Sequence, residues 1–137
     1  MNLSDLRYKI ERIDNKIPNI NCGGCGTFSY HLHKVLKEKH GIESEIYYMG
    51  GPKAAIDYDI KFSHILIKVD NYFIDNKGFY EVDKSSLDPD KKLSTEKLEE
   101  MIGIKELWNS KFNVTYIDSN FQTKQISDKL IELIYEI

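Results

Sequence analysis

The sequence predicts an α+β domain, with N-terminal helices packed on an antiparallel β-sheet and further helices at the C-terminal end. Three observations predict it. Leu6, Ile10, Ile13 and Ile17, then Phe28, Leu32, Val35 and Leu36, recur at helical spacing. The pattern changes to period two from Ile42 to Tyr48 and stays strand-like from Phe62 to Val82. It returns to helical spacing at Ile126, Leu130, Leu133, Ile134 and Ile137.

In order, Ser4 is the expected N-cap of the first helix, which ends at Pro18. A polar, glycine-containing loop covers residues 19 to 24. The second helix stops at Gly41. In the first strand Ile42, Ser44, Ile46 and Tyr48 alternate with Glu43, Glu45 and Tyr47, and Gly50-Gly51-Pro52 breaks it. Residues 53 to 60 read as a loop. Phe62 to Val69 is a strand rich in β-branched residues, Asp70-Asn71 a two-residue hairpin turn, and Tyr72 to Asp75 the returning strand. Asn76-Lys77-Gly78 is a second turn, and Phe79 to Val82 a fourth strand. Residues 84 to 93 read as a charged, solvated loop. Ser94 or Thr95 opens a helix that runs to about Ile102 and stops at Gly103. Residues 104 to 108 add a turn or two, and 112 to 117 form a strand. Ser119-Asn120-Phe121-Gln122 fits a capping box ahead of the last helix.

The chain has 137 residues. One domain over 1–137 is expected, able to bury about two-thirds of its unfolded surface without metal or disulfide staples. Hydrophobic residues make up 41% and charged residues 30%, as in soluble globular proteins. The net charge of -3 argues against sequence-blind nucleic-acid binding, which relies on a basic surface. Arg7 and Arg12 are the only arginines, so there is no set of bidentate phosphate clamps. No apolar run is long enough to cross a bilayer, and the N-terminus lacks the pattern of a secretory signal. A cytoplasmic protein with no membrane partner is expected. In that reducing setting two cysteines point to catalysis or metal binding sooner than to a disulfide.

The segment Asn21-Cys22-Gly23-Gly24-Cys25-Gly26-Thr27-Phe28-Ser29 carries the chemistry. A glycine turn delivers Cys25 to the start of a helix. There, unpaired backbone N–H groups and the positive end of the helix dipole favour a thiolate, the nucleophilic form. The same N–H groups can hold a developing oxyanion. Cys22 lies about one turn too early to gain the full effect of the dipole. The plainer alternative is a buried, inert cysteine.

A thiol nucleophile needs a base, and the base an orienter. With Asp70-Asn71 as a two-residue turn, Val69 faces Tyr72 and Leu66 faces Asp75. His64 shares a sheet face with Leu66, so Asp75 lies diagonally across from it, within reach of long side chains. Ile65, Ile67 and Val69 then fill the opposite face and pack on helices, while Phe62 and Leu66 wall the imidazole. A turn of another length would separate the pair. Taken singly, His64 is a strand histidine bonded to a carbonyl and Asp75 a turn residue. His31 and His33, inside the second helix, and His40, near its end, are expected to be structural, as is Trp108.

The segment from Cys22 to Ser29 resembles the papain-family stretch in which Cys-Gly-Ser-Cys is followed by Trp-Ala-Phe-Ser, with the second cysteine as nucleophile. The later histidine and aspartate are similar to those of compact papain-like relatives, the NlpC/P60 and transglutaminase-like proteins of bacteria and phages. The resemblance covers residues 19 to 80. It implies a small papain-like domain and a cysteine hydrolase with Cys25 as nucleophile, His64 as base and Asp75 as orienter. Its substrate would be a peptide, isopeptide or other amide, and no cofactor or metal is implied. A side chain upstream of the nucleophile helps the oxyanion in such enzymes; Asn21 and Asn19 are the candidates here. Gly26 stands where the family has tryptophan, and the chain is much shorter than papain.

Three other readings stand beside this one. Cys22 and Cys25 form a Cys-x-x-Cys at a helix start, the pattern of thiol–disulfide redox proteins, although a helix and Pro18 precede it where a strand is usual. The same cysteines with one or two histidines could hold zinc, although no second ligand pair is close in sequence. A catalytically inactive fold used for binding is the third.

Overall fold

The computed structural model describes residues 2–17, 25–49, 64–84, 89, 91–102 and 120–137. The fold is α+β, a five-stranded antiparallel sheet with helices at both ends of the chain. The first helix, α1, spans Leu3–Lys16. Its N-cap is Asn2, whose Oδ1 accepts from the Asp5 N–H at 2.8 Å, so the cap lies two residues before the expected Ser4. Both residue types can cap; Leu3 and Leu6 already pack inward, which draws the helix start to Asn2. The helix ends at Lys16, slightly ahead of the expected stop at Pro18.

The second helix, α2, runs Cys25–His40 and stops where expected. Gly41 takes φ +64°, a left-handed turn that glycine enters without steric cost. There the Ile42 N–H donates to the Leu36 carbonyl at 2.9 Å. Every residue from Cys25 to Leu32 is buried, so the front half of α2 is enclosed on all sides, not amphipathic.

Strand β1 is Glu45–Met49, β2 His64–Val69, β3 Tyr72–Asp75, β4 Gly78–Glu81 and β5 Lys91–Leu93. The sheet order is β4-β3-β2-β1-β5. β5 corrects the last three residues of the charged loop expected over 84 to 93, of which 85–88 and 90 lie outside the described residues. It pairs antiparallel with β1, Leu93 facing Ile46 and Lys92 facing Tyr47. Lys92 reaches diagonally to Glu45 at 2.9 Å. A lysine-rich strand of three residues is a usual way to blunt a sheet edge, and it carries no hydrophobic period to read.

Helix α3 is Thr95–Ile102, capped by Ser94, whose Oγ accepts from the Lys97 N–H at 3.1 Å. Helix α4 is Asn120–Tyr135. The expected loop at 53–60, the turn at 104–108, the strand at 112–117, Trp108, and the residues Phe62 and Ser119 lie outside the described residues. No helix among the described residues is long and apolar enough to cross a membrane.

The main core joins Leu6, Ile10 and Ile13 of α1, Phe28, Leu32, Val35 and Leu36 of α2, Leu98 of α3, and Leu130, Leu133 and Ile134 of α4 to one sheet face. That face carries Ile46, Ile65, Ile67, Val69 and Ile74, as the period-two count predicts. Met49, Leu66 and Phe73 form a second cluster with Tyr47, Tyr80 and Val82 on the other face. Lys39 donates to the Tyr135 carbonyl at 2.9 Å, placing an ammonium at the negative end of α4, and His40 donates to the Ile137 carbonyl at 3.1 Å.

Candidate functional site

Asp70 adopts φ +51°, a conformation that aspartate tolerates, and Val69 faces Tyr72 across the two-residue turn. Lys68 faces Phe73 and Ile67 faces Ile74, so the register brings Leu66 opposite Asp75 and His64 diagonally across from it. The side chains meet: His64 Nε2 lies 2.9 Å from Asp75 Oδ2. A carboxylate can only accept, so Nε2 carries the hydrogen of this bond. His64 is 1% exposed and Asp75 5%.

Asp75 serves two structures at once. Its Oδ2 holds His64, while its Oδ1 accepts from the Lys77 N–H at 2.8 Å and the Gly78 N–H at 3.2 Å. The turn role and the histidine-orienting role are therefore the work of two oxygens of one side chain. Tyr80 adds its hydroxyl at 3.4 Å to Oδ1. Burial, then the charge of Asp75, raises the Tyr80 phenol above its usual range, so it stays a neutral donor. The residue after Asp75, Asn76, is 1% exposed and donates to Asp14 of α1 at 2.9 Å. The β3–β4 turn is thus fixed to the first helix.

Cys25 is the first residue of α2, a free thiol 6% exposed. As a helix-first residue its backbone N–H has no partner inside the helix. By strand parity His64 belongs to the Leu66 face, whereas Cys25 belongs to the helix-side core. His64 nevertheless opens β2, and the early turns of α2 cross that same strand start. Ser29, one turn beyond Cys25, donates to the Ile65 carbonyl at 3.1 Å.

The proximity of Cys25 shows in the imidazole. Burial by itself lowers its pKa, since it disfavours the cation. The hydrogen bond to Asp75, the hydrogen bonding and charge of Cys25, and the charge of Asp75 outweigh burial and push it up to about 10. Nδ1 is buried and makes no hydrogen bond of standard geometry. With Nε2 held by Asp75, Nδ1 is the nitrogen left for the thiol.

The other histidines have structural partners. Burial, then the charge of Lys34, lowers His31 to about 4, and its Nδ1 lies 3.3 Å from the Tyr135 hydroxyl. His33 Nδ1 lies 2.6 Å from Ser44 Oγ. Among the described residues no group of three or more His, Cys, Asp or Glu is placed to hold a metal ion.

The structure therefore joins His64 to Asp75 and sets Cys25 near enough to raise the imidazole through hydrogen bonding and charge. Asn19, Asn21 and Cys22 lie outside the described residues. Sequence reasoning missed Tyr80, Asn76 and Ser29. Tyr80 was within reach of the same count used for the first hairpin, since Asp75 faces Gly78 and Phe73 faces Tyr80. Asn76 and Ser29 gave no local signal, because their partners lie on distant segments. No protein-family model, no curated protein and no solved structure matches the chain.

Proposed function

We propose that the protein is a thiol hydrolase or acyl transferase of papain-like type, acting on an amide or ester carbonyl through Cys25, His64 and Asp75. The observation that carries this reading is a buried imidazole held on one nitrogen by Asp75 and influenced through hydrogen bonding and charge by a helix-start thiol.

In this mechanism the proton shared by the Cys25–His64 pair rests on Nδ1 of the ring, and the Sγ electron pair bonds to the substrate carbonyl carbon. The carbonyl electron pair moves onto oxygen, where the Cys25 N–H at the helix start can donate to it; Asn21 or Asn19 is the proposed second donor. The tetrahedral species collapses, its carbon–nitrogen or carbon–oxygen bond breaks, and the leaving group takes the proton from Nδ1. A thioester remains on Cys25. Water or an amine then attacks it, giving its proton to Nδ1; the carbon–sulfur bond breaks with its electron pair on Sγ, and the pair returns to its starting state with the proton on the ring. Asp75 keeps Nε2 protonated and the ring in line throughout, and stabilises the imidazolium. Peptide, isopeptide and related amides are the proposed substrates. A cytoplasmic setting would keep the thiol reduced.

Alkylation by iodoacetamide at pH 6, followed by peptide mapping, tests the reading. Cys25 is expected to react at least about tenfold faster than an ordinary thiol, whose pKa is near 8.5. Cys25→Ala removes the fast label, Cys22→Ala leaves it, and His64→Gln slows it. Equal, slow labelling of both cysteines would overturn the proposal.

A further inference from the structure

We infer that Ser29 is a positioning residue, whose buried hydroxyl fastens the early turns of α2 to the start of β2 and so sets the approach of Cys25 to His64. The inference rests on the thiol-hydrolase reading and names a residue on which that site depends.

Cys25 and Ser29 are four apart on α2, which puts them on one side of the helix in adjacent turns. Ser29 is 0% exposed, among Phe28, Leu32 and Val35. A hydroxyl in such surroundings costs stability unless it is bonded, so a small apolar side chain would suit packing better. The bond it makes is to the Ile65 carbonyl at 3.1 Å, on the residue next to His64.

That carbonyl lacks a strand partner for a reason of register. Antiparallel strands alternate hydrogen-bonded and non-bonded pairs. Counted back from the hairpin-closing pair Val69–Tyr72, the backbone groups of Ile67 and Ile65 point toward β3. The β2–β3 ladder ends at Ile67–Ile74, and Asn76, which would face Ile65, has entered the turn. Ser29 supplies the donor that β3 no longer can. The sheet's own termination thus creates an acceptor beside the imidazole, and the helix carrying the thiol answers it. Fixing the Ser29–Ile65 contact restricts sliding of α2, which carries the thiol, along β2, which carries the imidazole. Misplacements of about 1 Å at reacting groups can cost about 100-fold in rate.

The test compares wild type, Ser29→Ala and Ser29→Thr with Ser94→Ala, which removes the α3 cap and serves as a control for general loss of stability. Iodoacetamide alkylation of Cys25 is followed against pH at a temperature where every protein is folded, and the His64 ring is titrated by NMR. Ser29→Ala is expected to alkylate about tenfold or more slower at pH 6. Its His64 midpoint falls below the wild-type value of about 10. Ser29→Thr, which keeps the hydroxyl, restores most of both, and Ser94→Ala changes neither. Should Ser29→Ala not fold, the smaller change Ser29→Cys is put through the same His64 titration. A Ser29 variant that melts earlier but keeps the wild-type alkylation curve and His64 titration overturns the inference. A slow wild-type thiol at pH 6 overturns the hydrolase reading instead, and the His64 titration still decides whether Ser29 sets the contact.

Discussion

His64 and Asp75 meet at 2.9 Å across the β2–β3 hairpin, with both side chains almost wholly removed from water. An imidazolium in such a place persists only because a carboxylate is fixed beside it. Asp75 is fixed by the turn it closes, through two backbone N–H donors on its other oxygen. Rigidity of the turn therefore becomes orientation of the ring.

Replacing Asp75 by asparagine keeps the shape and removes the charge. Burial then acts on His64 with much less opposition, and burial lowers a histidine. The NMR midpoint of the His64 ring is expected to fall from about 10 in the wild type to well below that value in Asp75→Asn. Alkylation of Cys25 at pH 6 slows in parallel. An unchanged midpoint would mean that Asp75 is not the source of the shift.

Two histidines bound the pH range of greatest stability, from opposite sides. The folded-state pKa of His64 is about 10, above its ordinary 6.5. Its stabilising contribution is complete below 6.5 and is lost as pH rises through 10. His31 has a folded-state pKa of about 4, below 6.5. Its contribution is complete above 6.5 and is lost as pH falls toward 4, because the unfolded chain binds the proton more readily. Urea midpoints measured from pH 4 to 10 are expected to peak near 6.5. His31→Phe flattens the acid side and His64→Gln the alkaline side. If each variant leaves its own limb as steep as in the wild type, the assignment fails.

Asp14 on α1 accepts the amide of buried Asn76 at 2.9 Å and also lies 3.4 Å from the exposed Lys77 ammonium. Asp14→Ala strands a buried amide donor, which costs about 1–3 kcal/mol. Lys77→Ala removes only a surface pair, worth about 1 kcal/mol or less. Urea unfolding of the two variants should separate them in that order. Equal losses would show that Asn76 finds another acceptor.

Much of the site could be read locally. Period-two alternation assigns Ile65, Ile67 and Val69 to one face and His64 and Leu66 to the other. The two-residue turn at Asp70-Asn71 fixes which residue Leu66 faces, and that count brings His64 and Asp75 within reach. The glycine run before Cys25, the helical spacing after it and the stop at Gly41 likewise set the limits of α2. β5 escaped the same reasoning because three residues with two lysines carry no period, and it exists only because β1 offers an open edge.

The sequence by itself determined the faces of the strands, the register of the central hairpin and the place of a thiol at a helix start. Each follows from backbone geometry within a few residues. The tertiary structure alone decided that Cys25 acts on the His64 imidazole, that Ser29 takes the Ile65 carbonyl and that Asn76 is anchored to Asp14. These contacts join segments distant in sequence. They depend on which buried donors and acceptors the sheet and helices leave unpaired, and that is settled only when the elements pack.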